Sequence, residues 1–380
     1  MPVWGQDSNE GAKVRIKAGD GITVATADEK FSLNIKSNFS AGVNLEFGED
    51  GKTNSSAFNI GKARLNLSGN LLGPQLTYSL QFGFSPSDTK TLPNGNSSFV
   101  RDAVIHYKPN GNWQLSFGQT KVKANRAHIT SSQLLAFTGR SIVDSPFQQD
   151  RDFGVFAEFN HSFVGESHIA IKGSITNGEG RDYGTTKESG LNYNGRLEIY
   201  PMGKFTDKGE FSEVDLAHEE TPKLMIGGAF SHNDRALRIG GETGAISADG
   251  GHDLNQYYAD LAFKYQGFAF LADLMGRNTS NPIIDGGQYI YKGYGYNMQA
   301  SYNMPCRKWT LAARFATLLP HEDVRMAVGY KQQNQPTAAV TYHLNGNKLK
   351  VQAETSYNHR VDALAPYNRW QCGVLLEVGI

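Results

Sequence analysis

The stretch Phe31-Ser32-Leu33-Asn34-Ile35-Lys36-Ser37-Asn38-Phe39-Ser40-Ala41-Gly42-Val43-Asn44-Leu45-Glu46-Phe47 alternates almost without a break. Its odd positions are Phe, Leu, Ile, Val and Ala with one Ser, and its even positions are Ser, Asn, Lys and Glu with one Gly. Side chains along a strand point to opposite faces in turn, so this pattern predicts a strand with one apolar and one polar face. It is roughly three times the usual length of a soluble strand, and soluble sheets keep exposed edges short because long flat ones recruit partners. The stretch therefore asks for an environment other than water on its apolar face.

The same design repeats along the chain. Ala63, Leu65, Leu67, Gly69 and Leu71 alternate with Lys62, Arg64, Asn66, Ser68 and Asn70. Leu76, Tyr78, Leu80, Phe82 and Phe84 alternate with Thr77, Ser79, Gln81 and Gly83. Further strands are expected near 100–107, 113–122, Phe153–Phe163, Ile169–Thr176, Leu191–Tyr200, Leu224–Ser231, Gln256–Tyr265, Phe268–Arg277, Tyr289–Asn303, Trp309–Thr317, Thr337–Leu344, Leu349–Tyr357 and Asn368–Ile380. Connections alternate between short ones, such as Leu72-Gly73-Pro74-Gln75 and Gln266-Gly267, and long ones, such as Gly48–Ala57 and Ser85–Ser98. That rhythm predicts an all-β fold: a transmembrane up-and-down antiparallel barrel of about sixteen strands, with short periplasmic turns and long extracellular loops. Val324, Met326, Val328 and Tyr330 also alternate, but an extra strand would make the total odd. Asp323–Lys331 is therefore expected in an outer loop or a strand extension, since single-chain bacterial barrels have even strand numbers.

Composition agrees with a barrel. Gly at 42 and Tyr plus Phe at 17 and 21, against only 13 Pro, suit many strands joined by tight turns. No apolar run reaches the 18 residues of a membrane helix, which says nothing against barrel strands, because these hide half their residues from lipid. Lys plus Arg and Asp plus Glu are both 37, a balance that argues against a nucleic-acid partner. Phe31, Phe47, Tyr107, Trp113, Trp309, Tyr357 and Trp370 fall near strand ends on the apolar face, as membrane-interface girdles do.

Residues 1–30 are expected to form an N-terminal periplasmic arm or hairpin, and 31–380 one barrel domain. Residues 1–5 fit the tail of a signal peptide, with Gln6 as the first mature residue. Cys306 and Cys372 are too few for a disulfide framework and lack metal-ligand spacing, and the reading calls for no cofactor and no metal. His106, His161 and His168 have no nucleophile at a telling spacing, so catalysis is not expected. Asp249-Gly250-Gly251-His252-Asp253 reads as a solvated turn rather than a cation loop, and Pro201–Pro222 is long and strongly charged for a periplasmic turn, with a subunit or peptidoglycan contact one expectation.

Several blocks resemble the phosphate-selective porin O and P family. They are Gly61-Lys62-Ala63-Arg64-Leu65, Leu76–Phe84, Val100-Arg101-Asp102-Ala103, Phe117-Gly118-Gln119-Thr120-Lys121-Val122, Thr130-Ser131-Ser132, Gly139-Arg140-Ser141-Ile142-Val143 and Arg151-Asp152-Phe153-Gly154-Val155. The likeness is dense from about 31 to 160 and later rests on strand pattern and on Asn368-Arg369-Trp370-Gln371. The terminal Ile380 departs from the aromatic that ends most such proteins. The resemblance implies a homotrimeric outer-membrane channel, embedded in outer-membrane lipid, that passes small hydrophilic solutes and prefers anions or phosphate. It also implies a third loop folded inward, here 123–152, the longest connection.

Lys121, Lys123, Arg126, Arg140 and Arg151 bracket or occupy that loop, and Lys62, Arg64, Lys172 and Arg196 take lumen parity on other strands. In a narrow passage these nine cations would attract anions and hold phosphate oxygens. The opposing expectation is that they pair with Asp144, Asp150, Asp152 and Glu158 and leave a transverse field of little selectivity. Behind the porin stand a blocked-lumen structural or adhesive barrel and, further off, an outer-membrane enzyme.

Overall fold

Each long alternating segment forms a strand, and each strand pairs antiparallel with the next. The computed structural model describes residues 13–17, 20–91, 97–182, 188–364 and 367–380, so the proposed signal remnant at 1–5 lies outside the described residues. Strands β1 (Lys13–Lys17) and β2 (Gly21–Ala25) form a hairpin. Then come β3 (Ser32–Gly48), β4 (Thr53–Asn70), β5 (Leu76–Gly83) and a two-rung hairpin of β6 (Lys90–Thr91) and β7 (Ser97–Ser98). The remaining wall is β8 (Val100–Tyr107), β9 (Trp113–Lys121), β10 (Arg151–Ser162), β11 (His168–Thr176), β12 (Asn192–Tyr200), β13 (Lys223–Ala236) and β14 (His252–Tyr265). It is completed by β15 (Phe268–Asn278), β16 (Gly293–Asn303), β17 (Trp309–Pro320), β18 (Gln332–Asn345), β19 (Leu349–Val361) and β20 (Arg369–Gly379).

Without the two small hairpins, β3 to β5 and β8 to β20 make sixteen strands, and β20 pairs with β3 from Arg369↔Gly48 to Gly379↔Asn38. That pairing closes the sheet, so no strand edge of the barrel wall faces lipid unpaired, the condition for a backbone to cross hydrocarbon. The β1/β2 hairpin docks on Ser32–Ile35, the part of β3 that β20 does not reach.

Burial is inverted relative to a soluble protein. On β12, Tyr193, Leu197 and Ile199 are exposed, whereas Asn192, Arg196 and Glu198 are at most 2% exposed. The apolar face is turned outward to lipid and the polar face inward. Two rings of aromatics mark the membrane edges. Trp113 packs on Phe159 and Trp309 on Tyr342 near the short-turn rim, and Tyr357 packs on Trp370 near the long-loop rim.

Asp323–Lys331 lies in the outer loop between β17 and β18, as expected, and holds a helix, α3 (Glu322–Val328), capped by His321 and ended by Gly329 at φ 86°, so the alternation there is not extended chain. One expectation is corrected. The expected loop Gly48–Ala57 is mostly strand: β4 begins at Thr53, leaving a tight turn at 49–52. A bulge between Ser40/Ala41 and Lys62/Ile60 leaves Gly61 unpaired and flips the parity of β4. Above it Phe58 and Ile60 point outward at even numbers, while below it Lys62 and Arg64 point inward at even numbers.

Two segments enter the lumen. From the long-loop rim, residues 122–150 fold inward with helices α1 (Arg126–Ile129) and α2 (Asp144–Phe147). Val122, Ala124, Ala127, Val143 and Phe147 pack against Phe156, Tyr258, Met275, Ala316 and Leu318 of the wall. From the opposite rim, residues 201–222 also turn inward instead of projecting away. Their Phe205 joins a core with Ala170, Tyr200, Met225, Ala262, Ala269 and Leu271, and their Val214 packs with Ala136 and Phe137 of the other insert.

Candidate constriction site

The inward loop is held by polar contacts that its sequence supplies locally. Asn125 caps α1 through the His128 amide at 3.2 Å, and Thr130 donates its hydroxyl to the Arg126 carbonyl at 3.0 Å. Arg140 ties the loop to itself by donating to the carbonyls of Ala127 at 3.0 Å and Thr130 at 2.6 Å. Lys121, at the end of β9, donates to the His128 carbonyl at 2.5 Å.

All nine candidate cations face the lumen or the loop, but most are neutralised. Arg126 is 1% exposed and donates to both oxygens of Asp273 at 2.8 Å. Arg196 makes a fork to Asp260 at 2.6 and 2.8 Å and donates to Glu198 at 2.7 Å. Lys172 shares Glu198 at 2.7 Å, and Lys62 donates to Glu377 at 2.8 Å. Arg64 forks onto Asp88 at 2.7 and 2.8 Å, and Arg151 reaches Asp102 at 3.2 Å and Asp150 at 3.0 Å. The partners therefore differ from those expected: only Asp150 and, at 3.9 Å from Arg140, Asp144 take part. Asp152 instead accepts the amides of Phe153 at 2.9 Å and Gly178 at 2.5 Å. A bidentate guanidinium–carboxylate pair has little left with which to bind a passing anion.

Two of the nine, Lys121 and Lys123, have no ion-pair partner among the described residues, and Lys121 is spent on the carbonyls of His128 and Ile129. Lys123 is the one left to face open space. It lines a cavity of about 690 Å³ at the short-turn rim with Lys108, Lys204 and Lys208, which likewise have no such partner. Glu158, Asp207 and Glu210 line the same cavity. A second cavity, of about 610 Å³, lies beside it, and the two share Leu134, Asp207 and Lys208 as lining. Burial, with Glu198 nearby, pushes the Glu210 carboxyl above the usual carboxylate range, and its Oε2 has no hydrogen-bond partner. Protonation as pH falls through that raised value removes a negative charge from the cavity wall. Reversal potentials between pH 8 and pH 5 should therefore move toward anion preference on acidification. Glu210→Gln should lose most of that shift.

Several participants carry no sequence signal. His128 faces Asp144 through Nδ1 at 3.1 Å and Asp150 through Nε2 at 3.0 Å, and only an imidazolium donates to both. Burial opposes ionisation of Asp144, yet His128 and Arg140 beside it hold its carboxyl below the ordinary range. Lys264, Lys350 and Arg314 donate to the carbonyls of Val214, Leu135 and Gly139 at 2.7, 2.7 and 2.9 Å, so the wall grips both inserts by their backbones. None of the three is among the nine candidates; strand parity could have placed them inward, but nothing in the sequence marks the carbonyls they meet.

Of the other residues singled out from sequence, His168 lines the 690 Å³ cavity and the rest lie outside it. His106 pairs with Ser116 at 2.7 Å and His168 with Ser162 at 3.0 Å, while His161 stacks on Phe159. Asp249 accepts from Ser247 at 2.7 Å and meets His252 Nε2 at 2.8 Å, closing a turn on itself.

The family model for phosphate-selective porin O and P matches residues 33–367. Among solved structures, the barrel is similar to the anion-selective porin from Comamonas acidovorans, with 12% identity, 92% of this chain and 100% of that chain covered, and a TM-score of 0.56. It is similar to the trimer form of OmpT, an outer membrane protein of Vibrio cholerae, at 13% identity, 92% and 99% coverage and a TM-score of 0.56. The Salmonella typhi OmpF complex with daunomycin gives 12% identity, 93% and 99% coverage and a TM-score of 0.59. No curated protein sequence matches the chain. At such identities the structural likeness is one of fold.

Proposed function

The chain belongs to the phosphate-selective porin O and P family, as a passive-diffusion barrel of the bacterial outer membrane, and from that premise we propose that it favours anions, inorganic phosphate among them, over cations. The supporting observation is the set of lysines around the 690 Å³ cavity, Lys108, Lys123, Lys204 and Lys208, which form no ion pair with a carboxylate among the described residues. A cavity of this size is comparable with the Debye length of about 8 Å at physiological ionic strength, so the field of its walls reaches a solute inside it. The paired arginines serve a different purpose: they fix the loop that narrows the passage. Sieving comes from the insert and charge selection from the free lysines.

A potassium chloride gradient across a planar bilayer tests this. The reversal potential should report anion preference, and Lys123→Glu should shift it toward cations, with smaller shifts for Lys108→Glu and Lys204→Glu. Cation preference in the wild type overturns the proposal. The filling of the lumen from both rims is the one observation that favours a blocked-lumen structural barrel. Absence of any ion current would decide for that reading.

We further propose a homotrimer joined around the closing seam. Phe58 is 91% exposed, and with Ala41, Val43, Ile60, Val374 and Leu376 it borders an apolar groove of about 520 Å³ on the outer face. Ile60→Asp should then convert an unheated oligomer on gels or in light scattering into monomer. A variant that stays oligomeric places the interface elsewhere.

A further inference from the structure

We propose that the connection between β12 and β13, residues 201–222, is a second gate-forming insert, which clasps the inward loop from the opposite rim and limits conductance through the pore. This inference rests on the channel reading above and adds a part to it.

A turn at the short-loop rim needs only a few residues, as 266–267 and 346–348 show on the same rim. This one carries six carboxylates, Asp207, Glu210, Glu213, Asp215, Glu219 and Glu220, against Lys204 and Lys208. Such a segment would ordinarily remain in water. Instead Glu210, Glu213, Asp215 and Glu219 are buried, three of them turned onto backbone amides. Glu219 accepts the Thr206 amide at 2.7 Å and its hydroxyl at 3.0 Å, and Asp215 accepts the Gly267 amide at 2.8 Å. His218 reaches Asn303 at 2.8 Å. These contacts anchor the base of the insert to the rim.

The contact with the inward loop is different in kind. The Glu213 amide donates to the Leu134 carbonyl at 2.9 Å, and the Ala136 amide donates to Glu213 Oε2 at 2.9 Å. The two inserts thus join through a reciprocal pair of bonds, reinforced by Val214 against Ala136 and Phe137. Beyond this clasp, Asp207 and Lys208 form an exposed tip in left-handed conformation, at φ 51° and 57°. Two adjacent non-glycine residues in that region store strain that the surrounding contacts must offset. The tip stands between the two cavities and lines both. A solute entering either cavity meets it. The insert carries six carboxylates against Lys204 and Lys208, so its removal takes away more negative than positive charge, widens the passage and leaves Lys108 and Lys123 to attract anions.

Single-channel recording in planar bilayers tests the inference with two variants. One replaces 204–220 by a short Gly-Ser turn; the other is Glu213→Ala, which removes the carboxylate half of the clasp and leaves the rim anchors in place. Relative to wild type, the short-turn variant should conduct at least twofold more and shift its reversal potential toward anions, and Glu213→Ala should show larger or more frequent openings. Glu220→Gln, at an exposed position outside both cavities, should resemble wild type. If wild type conducts and both variants match it, the insert is no gate and the channel reading stands. If neither wild type nor the variants pass current, the channel reading falls and the gate with it. Should the short-turn variant fail to assemble, an unchanged trace from Glu213→Ala overturns the inference by itself.

Discussion

Asp273→Ala is expected to release the inward loop from the barrel wall and to give the largest stability loss of any single lumen substitution. Arg126 is fully enclosed, and the two Asp273 contacts at 2.8 Å are its compensation; its Nε and Nη1 already lack partners. Removing one member of a buried pair leaves an uncompensated charge, which costs about 3–5 kcal/mol. Among the described residues α1 has no other ion pair to the wall, so much of that cost can be avoided by letting α1 leave its place. The variant should show a lowered thermal midpoint, proteolytic cleavage within 122–150 and noisier, larger conductance. The double variant Arg126→Ala/Asp273→Ala should recover part of the stability, because it removes the stranded charge. If the single and double variants are equally destabilised, the pair is not what holds the loop.

The second large effect lies on the other face of the wall. Leu197 is exposed to lipid, in register with Ile171 on one side and Gly228 on the other. Leu197→Arg should cost about 2–4 kcal/mol if the position is near the bilayer midplane. Leu197→Ala should cost much less, since a lipid-facing leucine exchanges protein contacts for similar contacts with lipid tails. Unfolding titrations in detergent-free vesicles measure both. Equal tolerance of Arg and Ala would mean that this face does not meet hydrocarbon.

The strand pattern was legible because amphipathic alternation with period two is a direct imprint of water on one side and lipid on the other. It failed where that imprint is broken. At Gly61 one extra residue reverses the parity of β4, so Phe58 and Ile60 look out of phase, and the polar Thr53–Ala57 imitates a loop. At Val324, Met326 and Val328, a seven-residue helix happens to place apolar residues at every second position.

The candidate site was legible in residue type and in face, but not in pairing. Arg126 and Arg196 meet Asp273 and Asp260, residues 147 and 64 positions away, and no local pattern encodes such a match. Lys123 and Arg140 look alike in sequence as loop cations, yet one lines an open cavity and the other is spent on the loop's own carbonyls. The inward course of 201–222 was hidden for a related reason. Its charge suggested a turn facing a neighbouring subunit or peptidoglycan, because the amides that receive its carboxylates, those of Thr206, Gly267 and Ala136, leave no trace in composition.

The junction of β20 with β3 bears on how the molecule is made. Arg369 bonds Glu46 at 2.6 Å across that junction, and the two lie 323 positions apart in the chain. Every other neighbouring pair in the wall can zip from a nearby connection, but this one must wait until nearly the whole polypeptide has arrived. Contacts so distant in sequence form slowly, because chain entropy is lost before they repay it. Until then the nascent sheet has two long open margins, each greasy on one side and bare of hydrogen-bond partners along its length, the form most prone to stick to another chain. Assembly therefore demands that these margins be shielded or brought together at a membrane, and a lesion at the junction, such as a proline at Leu375, should appear first as aggregated precursor rather than as a leaky pore.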